Sequence, residues 1–230
     1  DVIEDILRIY GYNNVEISER LISNLSYENK PDSHKLQVLI SEQLTAQGFN
    51  EVLNNSLTKG NYYTGLKTYP ETRSVKIMNS LSSDLSVMRQ TLLFGGLENI
   101  AYNINRRNAD LKFYEFGNCY HYHPENKQEN DTLSAYTEEY HLALWLTGNK
   151  TSESWITAEQ KSSAYELKAY VQNILVRFGF NRRELNLEEY ADDLYSEAMS
   201  ISSKTGKMLA IFGIVSDTAK KLTDIDADVF

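Results

Sequence analysis

One cysteine in 230 residues, Cys119, leaves no partner for an internal disulfide and points to a reducing compartment. Long apolar runs are missing too: nothing reaches the roughly 18 consecutive apolar residues that a membrane helix needs. No basic start leads into an apolar run with a small-residue cleavage site, which argues against secretion unless such a leader has been removed. Positive charge is scarce, since 23 Lys and Arg stand against 32 Asp and Glu for a formal net charge of −9. Phosphate binding needs clustered Lys and Arg, so a whole-surface nucleic-acid role is excluded and any RNA contact has to be local. P-loop and dinucleotide fingerprints, a nucleophile beside a base, internal repeats and low-complexity segments are all missing.

What is present is a chain with 41% hydrophobic residues, enough for one substantial core. Ile3, Ile6, Leu7 and Tyr10 fall at helical spacing ahead of Gly11, so the pattern is already helical at the first residues. That start, and the strand that begins within Asp224 to Phe230, lead us to expect a portion of a longer polypeptide. Asn13 to Asp32 keep no period and read as a linker. Asp32 or Ser33 can cap a helix carrying Leu36, Leu39, Ile40 and Leu44 and ending at Gly48. A strand is expected over Glu51 to Leu57, another around Val75 and Ile77, a helix over Leu92 to Asn105, and β-rich runs at Leu111, Phe113 and Cys119 to Tyr122. His141 to Thr147 reads as a buried strand, Ala164 to Phe178 as the strongest helix, and Glu197 to Val215 as a hairpin around Lys204-Thr205-Gly206. The order predicts an α+β fold, an antiparallel β-sheet flanked by helices.

Three stretches carry a resemblance: Ser83-Asp84-Leu85-Ser86-Val87-Met88-Arg89-Gln90-Thr91-Leu92-Leu93, then Asn99 to Arg106, then Asp110-Leu111-Lys112-Phe113-Tyr114-Glu115-Phe116-Gly117. With Asp1 to Tyr12 at the front, this order resembles the β subunit of bacterial phenylalanyl-tRNA synthetase over nearly the whole chain. The resemblance implies a class II aminoacyl-tRNA synthetase catalytic-domain-like fold. It implies three parts: residues 1–14 as the closing helix of a preceding domain, 15–32 as linker, and 33–230 as a non-catalytic core. His34 to Gln47 and the following Gly48-Phe49-Asn50-Glu51-Val52 are similar to the first class II motif, which builds the subunit interface. The family pattern has Pro where Ser80 and Phe94 stand and Leu where Gly96 stands, which leaves the rigidity of that loop open.

In the second class II motif an arginine holds the ATP α-phosphate, because a planar guanidinium binds phosphate oxygens in bidentate fashion. The family's catalytic α subunit carries a strand resembling Gly-Arg-Val-Tyr-Arg, whereas this chain reads Gly117-Asn118-Cys119-Tyr120-His121. Both arginines are missing, and a largely neutral imidazole is a poor substitute. The third motif has no counterpart beyond Gly213-Ile214-Val215-Ser216. The resemblance therefore implies a chain inactive alone, docked on an α subunit that binds ATP, within a cytoplasmic (αβ)₂ heterotetramer that aminoacylates tRNA(Phe). A free-standing adaptor and a self-sufficient ATP-dependent ligase are the alternatives.

Asp1, Glu4 and Asp5 lie at i, i+3 and i+4, so three carboxylates can offer Mg²⁺ a hard oxygen site. Acids in a first helical turn are also favoured by the helix dipole alone. The resemblance implies a magnesium site at these three positions, with Asp5 in place of the family's Glu and a further ligand upstream, and hence a weak or empty site without it. For Arg89, pinning a loop through carbonyls or an internal acid is preferred to contact with RNA or a partner. Arg106 and Arg107, with Lys112 nearby, read as a solvated helix end before a phosphate contact, and His121 with His123 as a polar rim before a zinc pair.

Overall fold

Glycine followed by phenylalanine ends two of the helices, and the geometry shows why. The computed structural model of the chain describes residues 2–16, 32–80, 82–131 and 133–230. After helix α2 (Ser33–Ala46), Gly48 takes φ 86°, its N–H bonds the Thr45 carbonyl at 3.0 Å and Phe49 N–H bonds the Leu44 carbonyl at 3.0 Å. This is the Schellman arrangement, in which a left-handed residue turns the chain and the next side chain packs back on the helix; Phe49 is accordingly buried. Gly179, at φ 93°, and Phe180 repeat it later in the chain.

The chain forms two compact units, residues 1–33 and 34–230. The first contains α1 (Val2–Tyr10), stopped at Gly11, while the linker expected at 15–32 falls mostly on residues outside those described.

In the second unit the strands are β1 (Asn50–Glu51), β2 (Leu57–Thr58), β3 (Val87–Met88), β4 (Leu111–Tyr122), β5 (Tyr136–Thr147), β6 (Asn149–Thr151), β7 (Gln160–Lys161), β8 (Leu185–Tyr190), β9 (Tyr195–Ser203) and β10 (Met208–Val215). Helix α3 (Leu93–Ile104) precedes β4, α4 (Ala164–Arg177) precedes β8, and α5 (Asp217–Lys221) follows β10. β4 and β5 pair antiparallel over twelve positions, from Leu111↔Thr147 to Tyr122↔Tyr136. β1 joins β4 in parallel, and β8, β9 and β10 form a second, antiparallel sheet in the order β10-β9-β8. The expected antiparallel sheet is present, with that one parallel pair added.

Alternation along β4 assigns its faces. Leu111, Phe113 and Cys119 enter one core with Leu92, Leu93, Leu97 and Trp145; Tyr114 and Phe116 enter another with Ile40, Leu44, Leu167 and Leu175. The sheet is thus covered by α3 and the loops before it on one side and by α2 and α4 on the other. Gly96 makes room for a core aromatic: a β-carbon there would collide with the Trp145 indole.

The structure corrects four element boundaries. The strand expected at Glu51 to Leu57 divides into β1 and β2, because Asn54 N–H and its side-chain amide turn to the Glu115 carboxylate, at 3.2 and 2.6 Å, instead of a neighbouring strand. The strand near Val75 and Ile77 is reduced to a Lys76↔Val87 bridge. The two β-rich runs after Leu111 are one strand. β8 has a sequence, Leu-Asn-Leu-Glu-Glu-Tyr, too short and acidic to announce itself.

Candidate functional site

Arg89 leaves β3 directly into the space over β4. Its backbone is tied on both sides: Arg89 N–H donates to the Ser56 carbonyl and the Arg89 carbonyl accepts from Tyr120 N–H, each at 2.9 Å. Its side chain is buried, with Nη1 2.6 Å from Glu115 Oε1, Nε 2.9 Å from the Asn118 carbonyl oxygen, and the Asn54 carbonyl oxygen 3.5 Å from Nη1. Glu115 is wholly buried and receives Arg89 and Asn54 on its two oxygens. Asn99 Nδ2 of α3 then donates to Asn54 Oδ1 at 2.9 Å and extends the network to the helix. Gly117 is required beside it, since a β-carbon there would overlap the guanidinium. A fixed donor fork held this way is spent on the chain's own acceptors. The preference for a structural Arg89 agrees with this geometry.

Sequence reasoning missed Glu115, Asn54 and Asn99. A signal existed for the first: Leu111, Phe113, Glu115, Gly117 and Cys119 share one face, and a carboxylate in an inward series demands a buried partner.

The neighbouring face, formed by Tyr69, Gln90, Cys119, His121 and Tyr195, is neutral at physiological pH. Burial pushes the Cys119 thiol up to about 11 and the Tyr69 phenol up to about 12, and raises the Tyr195 phenol further. Burial also lowers the His121 imidazole below its ordinary value, despite Glu139 opposite. Gln90 is buried, its side-chain amide donating to Ser74 Oγ at 2.9 Å and to the Pro70 carbonyl at 3.2 Å, while its Oε1 has no partner among the described residues. The nearby guanidiniums are committed elsewhere: Arg89 bonds Glu115, and Arg73 bonds Glu125 and His123.

Three comparisons place the chain. Residues 18–230 match the family model described as phenylalanyl tRNA synthetase beta chain CLM domain. The chain belongs to that family. The phenylalanine–tRNA ligase β subunit of Bacteroides fragilis is 54% identical across the whole chain, and that of Porphyromonas gingivalis 43%. The chain spans 28% of the length of each of these curated relatives. A pyrrolysyl-tRNA synthetase structure from Desulfitobacterium hafniense superposes on 87% of this chain and 64% of its own with a TM-score of 0.60 at 15% identity, so the two share the class II synthetase fold.

β4 carries Asn118, Cys119, Tyr120 and His121 in sequence. His121 stacks on Tyr69 with ring centroids 6.2 Å apart, and His123 lies 3.1 Å from Thr137 Oγ1. Among the described residues no three His, Cys, Asp or Glu side chains converge as a metal site. Arg106 lies over the Tyr102 ring at 3.4 Å and donates to the Tyr102 carbonyl, so it closes its own helix end. On α1, Glu4 accepts a 2.6 Å bond from Arg8, and Asp5 is its neighbour in the first turn; Asp1 lies outside the described residues. Oxygen donors of this kind suit Mg²⁺, and Arg8 engages one of the two Glu4 oxygens.

Proposed function

We propose that this chain is the non-catalytic, class II-like part of a phenylalanyl-tRNA synthetase β subunit, docking on a catalytic α subunit and supporting aminoacylation of tRNA(Phe). The observation that carries the reading is the family match over residues 18–230, supported by a face of β4 on which Cys119 and His121 are neutral and Arg89 is committed to Glu115. The α subunit binds ATP, and this chain contributes structure: α2 with β1 serves as the docking element, and the buried Arg89 network holds the sheet behind it. The assembly is a cytoplasmic (αβ)₂ heterotetramer. Residues 1–14 close a preceding domain, 15–32 link it, and 33–230 form the core. Asp1, Glu4 and Asp5 supply carboxylates to a Mg²⁺ ion in the full-length subunit, with one more ligand from upstream.

Mixing the full-length β subunit with its α subunit tests the reading, with light scattering for mass and tRNA(Phe) charging for activity. The expected result is a complex of two copies of each chain, with charging that needs both. Absence of a complex favours the adaptor; phenylalanine-dependent pyrophosphate exchange by the β subunit alone favours the ligase. For the metal, Asp1→Ala in the full-length subunit is expected to weaken Mg²⁺ binding measured calorimetrically, and an unchanged isotherm removes the assignment.

A further inference from the structure

Among the described residues Trp155 is the most exposed of the Phe, Tyr and Trp side chains, at 94%, and Ile156 beside it is 72% exposed. Both stand in the loop that joins β6 to β7, and that loop is closed by its own bonds. Ser154 N–H donates to the Thr157 carbonyl at 2.9 Å, and Ser154 Oγ accepts from Ile156 and Thr157 N–H at 3.4 and 3.1 Å and lies 2.6 Å from Thr157 Oγ1. A serine turn of this kind fixes the backbone locally. The polar groups are thus satisfied within the turn while a large apolar ring is held out in water.

The base of the hairpin is locked to the end of α3. Asp110 Oδ1 accepts from Asn149 N–H at 2.7 Å and Oδ2 from the Ser152 hydroxyl at 3.5 Å. Gly148, at φ 73°, backs so closely on the Ala109 carbonyl that a β-carbon would overlap it. Arg106 and Arg107 therefore stand next to the hairpin that carries Lys150 and Lys161. All four are exposed, and none of the ion pairs among the described residues involves them. Arg107 takes φ 65°, in the left-handed region where glycine or asparagine is favoured, so an arginine stands there at a cost to the fold. With Asp110 turned to the backbone, Glu153 and Glu159 are the acids left against these four cations, and a chain of net charge −9 is locally positive here.

We propose that Trp155 and the cations around it form a contact for single-stranded RNA, with one base stacked on the indole and the flanking phosphates met by Arg107, Lys150 and Lys161. The inference rests on the reading of this chain as part of a tRNA ligase, and the RNA is an unpaired stretch of that tRNA. An aromatic ring accepts any base, since every base has a π-face, and cations beside it follow the backbone. Unpaired nucleotides are the ones whose bases are free to reach such a ring. An apolar pocket on a protein would also take the indole, but it would desolvate the four cations without pairing them.

Titration of uncharged tRNA(Phe) into the complex of full-length β and α subunits, at several KCl concentrations, tests this. Trp155→Ala is expected to weaken binding at least about fivefold, and Trp155→Phe to retain most of the affinity. Arg107→Asn, which suits the left-handed backbone, is expected to lower the slope of log affinity against log salt by about 1. Unchanged affinity for Trp155→Ala, or an unchanged slope for Arg107→Asn, overturns the proposal. So does a loss of tRNA binding in Trp155→Ala that light scattering shows to accompany dissociation of the complex, which gives the ring to the α subunit. A wild-type complex that binds no tRNA overturns the function proposed above as well, and its own titration separates that failure from one confined to the variants.

Discussion

Two cations, Arg89 packed over one face of β4 and Lys112 projecting from the other, are satisfied to different degrees. Arg89 meets Glu115 among backbone carbonyls and a side-chain amide, and both carboxylate oxygens are occupied. Lys112 meets Glu166 of α4 at 3.0 Å and Tyr170 hydroxyl at 2.8 Å, but Glu166 Oε2 has no partner among the described residues and the lysine is partly exposed. Burial pulls the Lys112 ammonium down, yet bonds to Tyr170 and Glu166 outweigh it and lift the group above its ordinary value. The forked, permanently charged guanidinium can satisfy several acceptors at once, whereas the ammonium acts as a point charge at the rim. In this chain the arginine face organises structure, and the lysine face adds a tether between α4 and the sheet.

Breaking the two pairs separately sharpens the contrast. Arg89→Met leaves Glu115 charged and unpaired in the core and is expected to cost about 3–5 kcal/mol in urea unfolding, the largest single effect. Adding Glu115→Leu in the same chain is expected to recover most of that loss, since an apolar pair needs no counter-charge. Lys112→Met is expected to cost only about 1–2 kcal/mol, because Tyr170 hydroxyl continues to donate to Glu166 at 3.0 Å. Equal losses at Arg89 and Lys112 would erase the distinction.

Two groups on the arginine face respond to pH in opposite senses. His121 has a folded-state value below its unfolded one, so the stability it contributes is complete above the ordinary imidazole range and is lost as pH falls through the lowered value. His121→Gln is expected to flatten the fall in thermal midpoint between about pH 7 and 5. Cys119 behaves oppositely: its raised value means stability is lost as pH climbs from the ordinary thiol range toward about 11. The smallest effect is expected on α1, where Arg8→Ala removes an exposed i,i+4 pair with Glu4 and should change helix stability by no more than about 0.5 kcal/mol.

Much of this was legible beforehand where one local rule was enough. Helical period and a closing glycine gave α2 and α4, whose Schellman ends form at Gly48 and Gly179. The hairpin around Gly206 followed from two apolar runs and a turn. Pairings distant in sequence were hidden: Asn54 with Glu115, Arg89 with Asn118, and the parallel contact of β1 with β4 need the assembled sheet to define them. Arg89 itself could be weighed as structural, but its acid could not be chosen among 32 candidates until alternation on β4 was known to run unbroken from Leu111 to Tyr122. β8 was missed because its exposed Glu188 and Glu189 dilute the apolar signal.

The central claim of the proposed function is that the sheet face beside Arg89 serves structure and takes no nucleotide. Calorimetric titration of Mg²⁺-ATP into the full-length β subunit, without its α subunit, tests it most directly. The account predicts no saturable heat; saturable binding at one site per chain would contradict it.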